Sequence, residues 1–175
     1  RLLLLCRGHK RLVFPLGLSV RRPEAGAAVE LDFPAMESLH SLDETLAALD
    51  AQVEGNYVFV STDTVPPGLE PFAVIREAEG LTLIVKAADA FEYGLASDKL
   101  FARITPCAVT DLGAVGLTAT IAQTIASRGI ACNVVAGFHH DHFFVPANKA
   151  QEVVGMLASL SEQARGWVEG KSANA

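Results

Sequence analysis

Sliding the 175-residue chain against itself by sixty positions lays one pattern of strand, turn, strand and helix over another. Val74-Ile75 falls on Val134-Val135, Leu81 to Val85 on Asp141 to Val145, and Ala90 on Ala150. A repeat constrains the fold more than any single motif, because each copy is one supersecondary unit that buries its apolar face against its neighbour. The second copy is preceded by a strand-like run, Phe101 to Thr105, and a helical stretch, 114–128. Its order is therefore β-α-β-β-α, the start of a ferredoxin-like split module. In the first copy the run from Tyr57 to Thr62 reaches the hairpin through Pro66-Pro67-Gly68, a stretch too short for a full helix. One half is expected to be trimmed.

Local signals fill in the units. Ser41 and Glu44 have capping-box spacing, and Leu42, Leu46 and Leu49 form one helical stripe. Phe72 to Arg76 and Leu81 to Val85 flank Ala78-Glu79-Gly80, which predicts a hairpin. Leu117, Ile121 and Ile125 are spaced by four and Gly129 supplies a stop, marking the clearest helix in the chain. Ile130 to Ala136 and His142 to Val145 are strand-like, and Ala150, Val153, Val154, Leu157 and Leu160 give a last helix one apolar face, with fraying expected beyond Ala164. The fold class is α+β: two ferredoxin-like βαββα modules, residues 36–99 (trimmed) and 100–165, with antiparallel sheets, helices on one face and a frayed tail over 166–175.

Half the residues are apolar and 19% are charged, a composition that folds. No apolar run approaches the ~18 residues of a membrane span, since Leu2 to Leu5 is cut by Arg7. Residues 1–35 carry six basic and three acidic side chains, and the remainder eight basic and seventeen acidic. That acidity argues against nucleic acid as a partner. The first 35 residues lack an initiator Met and are broken by Pro15, Pro23 and Pro34, so they read as a disordered or non-native leader. Cys6, Cys107 and Cys132 make an odd total with no CxxC spacing, which fits reduced thiols in a cytoplasm.

The stretch TDLGAVGLTATIAQTIASRGIACNVVAGFHHDHFFVP, with IREAEGLTLIV and GNYVFVST before it, resembles a group of small bacterial proteins with paired ACT-like domains. It is similar in the same way to cytosolic arginine sensors and to the regulatory domains of aspartate kinases. The resemblance spans roughly Ser41 to Ser161. It implies a regulatory module that binds an amino acid or a related small metabolite between domains, as a homodimer, without cofactor or catalysis. The family's strand-to-helix loop often carries Asp-x-Pro-Gly, whereas here it reads Asp111-Leu112-Gly113-Ala114-Val115-Gly116, so ligand identity does not carry over.

Two places have the residues for a site. Thr110, Asp111, Leu112, Gly113, Ala114, Val115 and Gly116 join a strand to a helix, where free backbone N–H groups and the helix dipole attract a carboxylate. Asp111, Asn133 or Asp141 would accept the ammonium of an amino acid. The same residues also fit a plain structural role, with Thr110 or Asp111 capping the helix. The second place is the His139–His142 cluster. His140 and His142 with Asp141 form an alternative metal site, and the rival function is a metal-binding protein or metal-dependent enzyme. Hydrogen bonding of those side chains across an interface, or to Glu77 and Glu79 in the matching turn of the first copy, is the favoured reading. No nucleophile elbow, P-loop or zincin motif is present, Cys132 sits in an apolar strand where burial leaves it inert, and Glu77 and Glu79 flank a turn. A non-catalytic protein without metal is expected.

Overall fold

The computed structural model describes residues 11–13, 19–21, 42–95, 97–106 and 115–172. The chain divides into two units, Arg1–Leu39 and His40–Ala175. In the first, β1 (Arg11–Val13) and β2 (Ser19–Arg21) pair antiparallel with Leu12 opposite Val20. The sequence predicts a leader without regular structure; these two short strands are the part of it that pairs.

Among the described residues the second unit is one six-stranded antiparallel sheet with four helices. Its elements are α1 (Leu42–Ala47), β3 (Ala51–Thr62), β4 (Ala73–Glu77), β5 (Gly80–Lys86), α2 (Ala87–Glu92), β6 (Phe101–Pro106), α3 (Leu117–Ala126), β7 (Asn133–Ala136), β8 (Asp141–Pro146) and α4 (Ala150–Ser172), with a 3-10 turn at Ala147–Lys149. The strand order, β4-β5-β3-β6-β8-β7, is symmetric about the β3·β6 pair, with three strands from each half of the chain. Register carries the sixty-residue offset to the residue: Val74 faces Leu83 in the first hairpin and Val134 faces Phe143 in the second. Between β3 and β4 the first half has a loop where the second has α3.

Helices cover one face of the sheet. Ile104, Phe143 and Val145 meet Leu46, Leu49, Leu117, Ile121, Ile125, Val153 and Leu157 in one core, and Val58, Val60, Leu83 and Val85 meet Ala90 and Leu69 in another. Leu69, from the loop that replaces a helix in the first half, closes that second core. Three boundaries depart from the sequence expectation. β3 begins at Ala51, ahead of Tyr57, because its polar first half pairs with β6 through a bulge between Val53 and Asn56, where Gly55 has φ of 113°. α3 begins at Leu117, three residues later than the apolar pattern. α4 runs to Ser172 instead of fraying after Ala164: Ala164 is buried, and the Ser161 hydroxyl and the Arg165 Nε–H both donate to the Ala47 carbonyl, at 3.0 and 2.9 Å.

The other face is curled. In a flat sheet β4 and β8 lie four inter-strand spacings, about 19 Å, apart. Yet the ring of Phe72, which leads into β4, sits 4.9 Å from the ring of His142 on β8. The curl lets Tyr57, Ile84 and Phe144 bury against one another, with Phe59, Phe72 and Phe101 packed around them. The aromatic rings meet edge to face or tilted at 5.3 to 5.7 Å, the arrangement their quadrupoles favour.

Candidate functional site

The end of the sheet where β6 stops and β8 starts brings two polar groupings together, one on each face. On the helical face lies Asp141, only 7% exposed, whose carboxylate accepts a short hydrogen bond from the Thr118 hydroxyl in the first turn of α3. Among the described residues no cationic side chain forms an ion pair with Asp141. The N-cap of α3 is Gly116, in the left-handed region at φ 99°, so no side chain at that position closes the helix end. A Cβ at Gly116 would lie 3.1 Å from the Leu42 side chain, so α1 also needs a glycine there. The arrangement is a helix start whose N-cap residue is glycine beside a buried carboxylate that accepts from Thr118. Carboxylate and ammonium of one small zwitterion would meet complementary groups there.

Of the residues singled out from sequence, Thr110, Asp111, Leu112, Gly113 and Ala114 lie outside the described residues, as does Cys107. Val115 and Gly116 stand at the start of α3, Val115 being 86% exposed. The N-cap position of α3 is Gly116. Asn133 pairs with Phe144 on the curled face, while Asp141 pairs with Ala136 on the helical face, so strand alternation points Asn133 away from Asp141.

The same alternation separates the members of the alternative metal centre. Asp141 and His142 are adjacent on β8 and face opposite sides, and His140 lies in the turn before β8 begins. Among the described residues no three His, Cys, Asp or Glu side chains come together. Cys132 is held inert by burial, which pushes its thiol pKa up to about 11.

Sequence patterning did not predict the grouping on the curled face. The bulge in β3 places Glu54 beside β6, where Arg103 Nη2 approaches its Oε2 at 2.5 Å. The Arg103 guanidinium also lies over the rings of Phe72 and Tyr57, 4.4 and 4.9 Å from their centroids. Thr105, 5% exposed, has its hydroxyl oxygen 3.0 Å from Glu54 Oε2 and 2.8 Å from His142 Nδ1. One hydroxyl proton serves one of these contacts only. Two acceptors at 3.0 Å repel, so the Thr105 O–H donates to Glu54 and the His142 Nδ1–H donates to Thr105. This fixes the imidazole as the Nδ1–H tautomer.

His142 has a pKa below the usual histidine value. Burial is the main cause, Arg103 and His140 add to it, and Glu54 and Asp141 oppose it. The unfolded chain therefore takes up a proton near pH 6.5 that the folded chain takes up only at lower pH. Folding stability is expected to lose nothing from this group above about pH 6.5, to fall as pH drops below it, and to level off once the folded His142 is protonated. Denaturant titrations of the wild type and of His142→Gln between pH 5 and 8 check this: the difference between the two should slope only on the acid side. A constant difference would contradict it.

The ACT domain family matches residues 37–102. A crystal structure of a Vibrio cholerae protein of unknown function, described as a possible transport protein, is 40% identical, with a TM-score of 0.62 over 69% of this chain and 96% of that one. A protein from Agobacterium tumefaciens shares the fold at 14% identity and a TM-score of 0.52, covering 65% and 89% of the two chains. The regulatory subunit of aspartate kinase from Thermus flavus aligns at 12% identity and a TM-score of 0.47, over 65% and 96%. No curated protein matches. With its α+β architecture, its antiparallel sheet and its near-complete coverage of the Vibrio relative, the chain belongs to the ACT domain family.

Proposed function

We propose that this protein is a non-catalytic regulatory module, of two fused ACT-like halves, that binds an amino acid or a related small zwitterion at the start of α3. The observation that carries the reading is Asp141, a buried carboxylate with no ion-pair partner among the described residues, beside a helix start whose N-cap residue is glycine. An unpaired buried charge is costly, and a ligand ammonium would offset that cost. The ligand carboxylate would take the N–H groups of the first turn, with Val115, Gly116 and the preceding residues Thr110, Asp111, Leu112, Gly113 and Ala114 forming the rim. Membership of the ACT domain family supports a small-ligand regulatory role. The cytoplasm is the proposed location, and no helix among the described residues is long and apolar enough to cross a membrane.

Thermal denaturation in the presence of each of the twenty amino acids at millimolar concentration tests this reading. A ligand at a hundredfold its Kd stabilises by about 2.7 kcal/mol. For a chain of this size that is a rise in Tm of roughly 5 to 10 °C. A flat response to all twenty would count against an amino acid as the ligand.

A further inference from the structure

A guanidinium presents Nε–H and Nη2–H on one edge, spaced to meet two oxygens of the same oxyanion side by side. On the curled face this edge of Arg103 is only half used. Glu54 Oε2 takes Nη2, while Nε is buried with no hydrogen-bond partner among the described residues. Buried donors are ordinarily paired, so an orphan of this kind marks a place where a partner belongs. The surroundings suit an anion. The Phe72 and Tyr57 rings flank the guanidinium, whose side chain is 16% exposed, and a charge so sheltered attracts an opposite one more strongly than it does in water. Thr105, two residues along β6 and therefore on the same face, donates its hydroxyl proton to the same Glu54 oxygen.

Glu54 is the least fixed member of the group. It stands in the β3 bulge, where Glu54 and Gly55 together face the single residue Arg103, between the paired positions Val53–Ile104 and Asn56–Ala102. Its side chain is 37% exposed. A carboxylate on unpaired backbone, open to solvent, turns away without breaking the ladder, whereas Arg103 is registered against Phe144 on β8 and stays in place. Of the neighbouring titratable groups, His142 donates its Nδ1–H to Thr105 and Asp141 lies on the opposite face. No second carboxylate forms an ion pair with Arg103 among the described residues. With Glu54 turned outward, the positive charge of Arg103 is left uncompensated.

We propose that the Arg103–Thr105 edge of the curled face is a binding site for a small oxyanion, a carboxylate or a phosphate, whose place Glu54 holds until the anion displaces it. The incoming anion engages Nε and Nη2 together and accepts from the Thr105 hydroxyl, one bond more than Glu54 makes. The site is separate from the start of α3 and does not rest on the reading given for it.

Heteronuclear NMR of the full chain tests this, with sodium phosphate and sodium acetate titrated against sodium chloride at matched ionic strength. The side-chain Nε–H signal of Arg103 should shift saturably with phosphate or acetate and stay in place with chloride. Glu54→Gln removes the competing charge and should bind the same anion at least about tenfold more tightly. Arg103→Lys keeps the charge but loses the fork, and should bind at least about tenfold more weakly. The backbone amide spectrum of each variant shows whether its fold is intact, and the wild-type titration decides the question even if one variant does not fold. An Arg103 Nε–H signal that neither anion moves in the wild type or in Glu54→Gln, equal affinities of those two proteins, or undiminished binding by a folded Arg103→Lys would overturn the proposal.

Discussion

Phe144→Ala is expected to destabilise the protein by about 3 to 5 kcal/mol, the largest single effect on the curled face. Phe144 is fully buried and touches Tyr57, Phe59 and Phe72, residues drawn from β3 and the approach to β4. It is thus the ring around which the sheet closes. Removing it leaves a cavity that cannot collapse without uncurling the sheet, so both the lost transfer energy and the cavity term apply in full. In a thermal scan this corresponds to a fall in Tm of roughly 6 to 20 °C. Phe138, 72% exposed, provides the contrast: Phe138→Ala should change stability by no more than about 0.5 kcal/mol. If the two variants behaved alike, the curled face would not be the second core described above.

The second large effect is on binding. Asp141→Asn keeps an oxygen to accept from Thr118, so the fold should tolerate it, but it removes the charge on which the proposed site depends. Truncating one member of a buried charge pair costs 2 kcal/mol or more, so ligand affinity should fall about thirtyfold or further. Isothermal titration of the two proteins with whichever amino acid stabilises the wild type measures this. Equal affinities would remove Asp141 from the site.

Much of the fold was legible because its signals are local. The hairpin β4–β5 follows from two apolar runs around Glu79-Gly80, and Gly80 adopts φ of 144° where a Cβ would come within 3.0 Å of the Thr62 carbonyl. α3 is marked by three isoleucine and leucine positions that all prove buried, and the repeat offset reappears in the register. The first half of β3 was not legible, because Gln52, Glu54 and Asn56 have the composition of a loop and Gly55 punctuates them. They are held as strand by pairing with β6, a contact fifty residues away in sequence. The end of α4 was missed for a similar reason, since burial of Ala164 and bonds to Ala47 extend a helix whose own pattern weakens there.

The candidate site divides in the same way. Asp141 and Gly116 were singled out from their neighbours in sequence, and the structure sets both at the start of α3. Glu54, Arg103 and Thr105 gave no such signal: in an alternating strand a polar residue reads as solvent-facing. Only the curl of the sheet, which brings Phe72 onto His142, turns that face into an interior. His142 was noticed as a possible metal ligand, and its Nδ1 is instead the donor at the head of a hydrogen-bonded chain to Glu54. Curvature arises from the bulge at Gly55 and the summed twist of six strands, and neither has a short sequence signature.

The most direct test of the ligand site is amide chemical-shift mapping by NMR as the stabilising amino acid is titrated into the protein. The N–H signals of Gly116, Leu117 and Thr118, together with that of Asp141, should show the largest saturable shifts. Saturable shifts confined to the curled face around Arg103, with the first turn of α3 unmoved, would contradict the account.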